Sequence, residues 1–284
     1  MITCRLQGGL GNQLFQIFTI VAYGLENKVA FKFLYSDAIP SITPRHSYWS
    51  SFLKSLRFFT VHELPSDMKV VSCPQFDYMA LPEFRSIGQD HVCFNGYFQS
   101  YKYFHHRQND IHRLIQLRPQ QKKCLATYGV DTMENTISIH FRLGDYKHLA
   151  HTHPIMPVSY YINALTHILT RSRIQTYTVY YFCEKEDNDT VSTDWIDPIS
   201  CVFPSLRFVK ASDDMADWEQ MLLMSSCTHN IIANSSFSWF GAYFNAGGKG
   251  HTVCYPQHWF AGSAAEQNNT RDMFPEKWTK ITYE

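Results

Sequence analysis

Three short stretches of this 284-residue chain carry groups suited to holding an anion. Gly8-Gly9-Leu10-Gly11-Asn12-Gln13 opens a run of helical spacing, so its backbone N–H groups and the positive helix end can meet a diphosphate. The same glycines equally suit a tight turn in a packed strand–helix unit. Their spacing is neither the dinucleotide pattern G-x-G-x-x-G nor the Walker pattern G-x-x-x-x-G-K-S/T, which argues against NAD and ATP. In the second stretch, His140-Phe141-Arg142-Leu143-Gly144-Asp145-Tyr146, a strand pattern puts His140 and Arg142 on one face. An arginine just before a glycine turn can fork onto phosphate oxygens. Asp145 orients that arginine, accepts a proton, or simply pairs with it to hold the loop. In the third, Asn234-Ser235-Ser236-Phe237-Ser238, hydroxyls and amide N–H groups gather where a strand turns into a helix. An ordinary N-cap is the plainer role for Ser235 or Ser236. Two anion-ready turns and an arginine loop in one chain point to a diphosphate ligand.

Other polar clusters are weaker. Asp187-Asn188-Asp189 matches the D-x-D that ligates Mn²⁺ or Mg²⁺ in some sugar transferases, but a solvated loop is the expected role. His148, His151 and His153, with His105 and His106, fit no zinc spacing, and a polar cleft rim is the plainer role. Asp213 and Asp214 either reach a nucleobase or lie in a solvated loop, and Asp217 and Glu219 read as helix N-terminal caps.

The elements that would position these groups follow from periodicity. Residues 2–6 read as a strand, Leu14, Phe15, Ile17, Phe18, Val21, Ala22 and Leu25 as one helix face, and 29–34 as the next strand. Prolines 40, 44, 65, 74 and 82 interrupt an irregular stretch over 36–125, with helix near 101–117. Strands over 136–142, 177–183, 206–209, 229–233 and 252–255 then alternate with helices over 158–171, 217–226 and 236–246. That is the pattern of parallel βαβ units. The polar segment 118–135 divides an N-terminal domain, 1–125, from a C-terminal domain, 126–284, without an internal repeat.

Composition sets limits on partners. Lys plus Arg and Asp plus Glu are 25 each, so no net field draws nucleic acid or an anionic membrane, and only a local basic pocket fits. Hydrophobic residues at 45% exclude disorder. The eight cysteines stand singly, with no C-x-x-C, and read as reduced core thiols. Met1-Ile2-Thr3-Cys4-Arg5-Leu6 lacks a signal-peptide pattern, and no run of about 18 apolar residues follows. A soluble, cytoplasmic chain without stable membrane insertion is expected.

Taken together, the three stretches resemble glycosyltransferase family 11, the α-1,2-fucosyltransferases. Residues 8–16 match its opening motif, 140–146 are similar to its central H-x-R-R-G-D-Y, and 223–242 to its third block, in order and across nearly the whole chain. Leu143 departs, standing where many members carry a second arginine, so that arginine's contact does not transfer. The resemblance implies an α/β, GT-B architecture: two Rossmann-like domains facing across a cleft, the C-terminal one holding GDP-β-L-fucose and the N-terminal one the acceptor. It implies inverting transfer of L-fucose to the 2-hydroxyl of a terminal galactoside, with no metal and no other cofactor. It makes Arg142 and Asp145 the catalytic candidates. Gly9, Gly11, Asn12, Gln13, His140, Arg142, Gly144, Asn234, Ser235, Ser236, Phe237 and Ser238 are the donor-binding candidates. Arg142, with the donors at 235–238 and 9–12, would stabilise charge on the leaving diphosphate in place of a divalent metal. Asp145 is either base or orienter of the arginine. Acceptor identity would lie with the loops 36–49 and 64–89. The same motifs fit another nucleotide-sugar donor, such as another 6-deoxyhexose or a UDP-sugar, or a module that binds without turnover.

Overall fold

The computed structural model describes residues 1–39, 45–130, 133–174, 176–245, 247–248 and 250–284. It divides into two compact units, one of residues 1–118 and 268–275, the other of residues 119–267 and 276–284. The 125/126 division read from sequence falls inside a helix, Leu117–Thr127. Part of the 36–49 loop and the end of the helix expected over 236–246 lie outside the described residues.

The first unit contains β1 (Ile2–Cys4), α1 (Leu10–Asn27), β2 (Phe33–Leu34), β3 (Thr60–Val61), β4 (Lys69–Ser72), β5 (Val92–Asn95) and α2 (Gln108–Leu114). Strands β1, β5 and β4 form a parallel sheet in that order, and β2 pairs in parallel with β3. Leu14, Phe15, Ile17, Phe18 and Val21 of α1 are fully buried, as their spacing predicts. The helix stops at Lys28, whose left-handed backbone returns its N–H to the Gly24 carbonyl. The stretch expected to be irregular contains β3, β4 and β5, and β5 is the middle strand of the sheet. Its apolar run, Val92-Cys93-Phe94, is too short to show a period; packing makes it a strand, with the Tyr23 ring 5.0 Å from that of Phe94.

The second unit contains α3 (Leu117–Thr127, which the boundary crosses), β6 (Thr136–His140), α4 (Val158–Arg171), β7 (Thr178–Phe182), β8 (Arg207–Lys210), α5 (Asp217–Met224), β9 (His229–Ile231), α6 (Ser236–Tyr243), β10 (Val253–Pro256) and β11 (Thr279–Ile281). Its sheet is parallel throughout, in the order β8-β7-β6-β9-β10-β11. All five residues of β6 are buried, as a central parallel strand requires. Ile137, Ile139, Val179 and Ile231 form the core with Ala164, Leu165 and Ile168 of α4. The segment after β7, expected to be a polar loop, is helical over Asn188–Val191, Ser192–Ile196 and Asp197–Val202, burying Val191, Ile196 and Ile199.

The chain lays β6, β7 and β8 outward in one direction, then returns to place β9 on the other flank of β6. Strand order therefore reverses between β6 and β9, and open parallel sheets hold ligands at the carboxyl ends of such a pair. All eight cysteines are unpaired and seven are buried, Cys201 being exposed. Among the described residues, no helix is long and apolar enough to cross a membrane.

Candidate functional site

Two adjacent tyrosines of α4 fix the strand ends at the reversal. The Tyr161 hydroxyl donates to the His140 carbonyl at 3.0 Å, where β6 ends. That of Tyr160 donates to the Ile232 carbonyl at 2.5 Å and the Cys254 carbonyl at 3.3 Å, past β9 and in β10. Beyond His140, Phe141 and Leu143 turn into the core, at 1% and 3% exposure. Leu143 is thus a core residue of the second unit, while its neighbour Arg142 is only partly buried.

The Arg142 guanidinium pairs through Nη2 with Asp145 Oδ1 at 2.5 Å and through Nη1 with Glu184, and lies 5.1 Å from the Tyr146 ring centre. Burial alone would lower its pKa, but Glu184 and Asp145 outweigh burial and hold it above the ordinary value. These pairs engage two of its five N–H donors. The turn beneath is pinned by Asp187, which is 1% exposed: Oδ2 accepts from the Gly144 N–H at 2.8 Å and Oδ1 pairs with Lys147 Nζ at 2.5 Å. Asp187 is therefore part of no solvated loop, contrary to the expectation for D-x-D. Asn188 instead donates to Asp213 Oδ2 at 2.6 Å, and Asp189 is exposed. Among the described residues, no three His, Cys, Asp or Glu side chains are grouped to hold a metal ion.

The arginine loop meets the serine turn directly. The Tyr146 hydroxyl, its pKa raised by burial to about 12, donates to the Asn234 carbonyl at 3.0 Å. The His140 ring lies 5.5 Å from that of Phe237. Burial, and then the Arg142 charge, push the His140 pKa down to about 3, so the imidazole is neutral; its Nδ1 has no partner within the protein. Ser235 takes the N-cap position of α6 in extended conformation, yet its hydroxyl makes no capping bond. Ser236 and Phe237, in the first turn, are partly exposed. The helix start thus presents N–H groups that no Ser235 side chain closes.

Two candidates turn inward instead. The Asn234 amide donates to the carbonyls of Pro154 at 2.9 Å and Trp259 at 3.1 Å, holding two loops, and Ser238 Oγ donates to the Ser235 carbonyl. Among the histidines, His153 stacks on Tyr146 at 4.8 Å and 19°, with Phe260 5.4 Å beyond, while His148 and His151 are exposed. His106 pairs with Glu26 in the first unit. Lys210 and Asn188 bind both Asp213 oxygens, Lys210 keeping that carboxyl below its usual range. Glu219 caps α5, accepting from the Ala216 N–H at 3.0 Å and the Tyr128 hydroxyl at 2.7 Å.

The glycine loop belongs to the first unit. Gly8 has φ +75°, and a Cβ there would sit 3.0 Å from that of Asn12, so the turn needs glycine twice over. The Gln13 amide, 1% exposed, donates to the carbonyls of Gly8 at 3.0 Å and His46 at 2.8 Å. Asn12 Oδ1 accepts from Gln99 at 2.7 Å. Both side chains therefore lock the turn. Gly9 is the N-cap of α1 and Gly11 lies buried in its first turn, where N–H groups lack intrahelical partners. Sequence reasoning missed Glu184, Tyr160 and Tyr161, whose contacts depend on which elements lie side by side in the fold.

Comparison with known proteins identifies relatives of the whole chain and a shared fold. The chain is 25% identical, over a 307-residue alignment covering 99% of each protein, to alpha-1,2-colitosyltransferase of Escherichia coli. It is 32% identical over 150 residues to the O-antigen biosynthesis glycosyltransferase WbnK of Escherichia coli, spanning 52% of this chain and 45% of that one. The crystal structure of POFUT1 in complex with GDP shares the fold, of GT-B type, with a TM-score of 0.50 at 9% identity, over 89% of this chain and 97% of that one. The model of one family matches residues 1–282, a span that includes all three motifs read from the sequence: the chain belongs to glycosyl transferase family 11.

Proposed function

We propose that this glycosyltransferase moves L-fucose, with inversion, from GDP-β-L-fucose to the 2-hydroxyl of a terminal galactoside, without a metal. One observation carries the reading: at the β6/β9 reversal, the loop of Arg142 and the start of α6, where the Ser235 hydroxyl makes no capping bond, are joined by the Tyr146–Asn234 hydrogen bond and the His140–Phe237 ring contact. Guanidinium and helix N–H groups together form a donor set for a diphosphate.

In the transfer, the bond from the sugar C1 to the diphosphate oxygen breaks as the acceptor oxygen closes on C1 from the opposite face. Positive charge builds on the sugar and negative charge on the leaving diphosphate, and fixed donors aimed at that oxygen lower the barrier. Arg142 and the N–H groups of the first turn of α6 supply those donors. His140, neutral and buried beside Arg142, adds no competing charge. Asp145 acts as orienter of Arg142, to which it is already bonded, and the acceptor proton leaves late, passing to solvent water once bond cleavage is advanced.

A second donor is favoured by one finding, the colitosyltransferase relative that spans 99% of both chains. Colitose is fucose without its 3-hydroxyl. A site that hydrogen-bonds this hydroxyl rejects the deoxy sugar strongly, whereas an apolar one discriminates little. Titration calorimetry against GDP, UDP and ADP should show preference for GDP. Incubation with GDP-fucose or GDP-colitose and a panel of galactosides including lactose, followed by mass and linkage analysis, should then yield an α-1,2 product. Preference for UDP, or no nucleotide binding, would refute the proposal. Transfer should survive EDTA; loss on chelation with recovery in Mn²⁺ would overturn the metal-free mechanism.

A further inference from the structure

The charged segment after β7 lies against the arginine turn. Gly144 has φ +36°, and a Cβ built there would sit 2.8 Å from the Glu184 carboxyl carbon, so the bare glycine is the floor on which this carboxylate rests. From there Glu184 reaches Arg142 Nη1. Asp145 holds Nη2 and the Tyr146 ring covers the guanidinium, so Glu184 supplies one of three sides of a cage. Three residues further on, Asp187 fixes the same turn from beneath through the Gly144 N–H. Arg142 is 19% exposed, whereas Glu184 is 45% exposed, so burial does not by itself hold the glutamate in place.

We propose that Glu184 is a positioning residue for Arg142, fixing the guanidinium plane so that its remaining N–H groups face the diphosphate at the β6/β9 reversal. This rests on the reading of Arg142 as the diphosphate contact. An arginine has several rotatable bonds, and a donor acts on a transition state only when it is already aligned. Asp145 alone leaves the plane free to turn about the Nη2 bond; a second carboxylate on Nη1 removes that rotation.

The test is a double-mutant cycle on the full chain: wild type, R142A, E184A and R142A/E184A. E184A should lower kcat about tenfold while moving the donor KM less than threefold, and E184D should recover at least a third of wild-type kcat. In the R142A background the same change should alter kcat less than twofold. Calorimetry with inorganic pyrophosphate reads the coupling without sugar or base: E184A should weaken its binding severalfold when Arg142 is present and not when it is absent. This arm separates failure of the donor assignment from failure of the positioning role. E184Q, which keeps the side-chain shape, replaces E184A in the cycle if melting shows the latter to be unfolded. Wild-type kcat and pyrophosphate affinity in E184A, or equal losses in both backgrounds, would overturn the proposal.

Discussion

Replacing Asp187 with alanine removes the pin beneath the arginine turn, and its cost follows from its contacts. The carboxylate is 1% exposed and accepts from the Gly144 N–H at 2.8 Å, so its loss leaves a charge-assisted bond unmade, worth about 1.5–3 kcal/mol. Lys147 loses its partner too, but its side chain is 43% exposed and water takes over, so that pair adds at most about 1 kcal/mol. The sum is about 2–4 kcal/mol. In a unit of about 160 residues, each kcal/mol moves the melting temperature by about 2–4 °C, so D187A should melt roughly 4–16 °C lower. D187N keeps an acceptor for the Gly144 N–H and should lose about half as much. Melting followed by circular dichroism or dye binding decides the matter. A D187A melting point within 2 °C of wild type refutes the reasoning. So would stabilisation of the wild type by Mn²⁺ that D187A lacks, since Asp187 would then act as a metal ligand.

Two further outcomes follow. R142A should lower kcat about 100-fold or more, as expected for losing a principal donor to the leaving group; near-normal turnover in a steady-state assay removes Arg142 from the mechanism. Stability should depend on pH through His112, His229 and His251, pushed to about 4 chiefly by burial, and His140, pushed to about 3. Below pH 6.5 the unfolded chain binds protons that the folded one refuses, so stability falls as pH drops towards 4 and is level above about 7. A shift from 6.5 to about 4 is worth about 3 kcal/mol per histidine, so a melting temperature unchanged between pH 7 and 5 would contradict the neutral, buried assignment.

The sequence made the arginine loop legible because alternation along β6 and the following glycine are local signals. The start of α6 was legible for the same reason, a cluster of small polar residues at a strand–helix junction. Glu184 was not, because its meeting with Arg142 depends on β7 lying beside β6, and spacing along a chain says nothing about strand neighbours. Gln13, Asn234 and Ser238 show the converse. Their residue types suit a ligand, but 1% exposure and bonds to backbone carbonyls give them to the scaffold, and only packing distinguishes the two uses. The helical segment after β7 escaped notice because Thr190, Val191, Ser192, Thr193 and Asp194 are poor helix formers. Burial of Val191, Ile196 and Ile199 outweighs that preference.

The equal count of acids and bases bears on how such a site could prefer an anion at all. Bulk charge contributes nothing, so preference has to arise from which groups are already satisfied. At the reversal, Asp187 is spent on Gly144 and Lys147, while Asp145 and Glu184 are both bound to Arg142. Each of these acids is matched to a local donor rather than set to repel a ligand across open space. On the other side stand the remaining N–H groups of Arg142 and the first turn of α6, whose N-cap hydroxyl makes no capping bond. The local excess is thus one of oriented donors, not of net charge. Because these donors are held by short contacts at the ends of adjacent strands, they lose little alignment when a diphosphate replaces water. Recognition should accordingly weaken only modestly with salt, unlike binding driven by a broad basic surface.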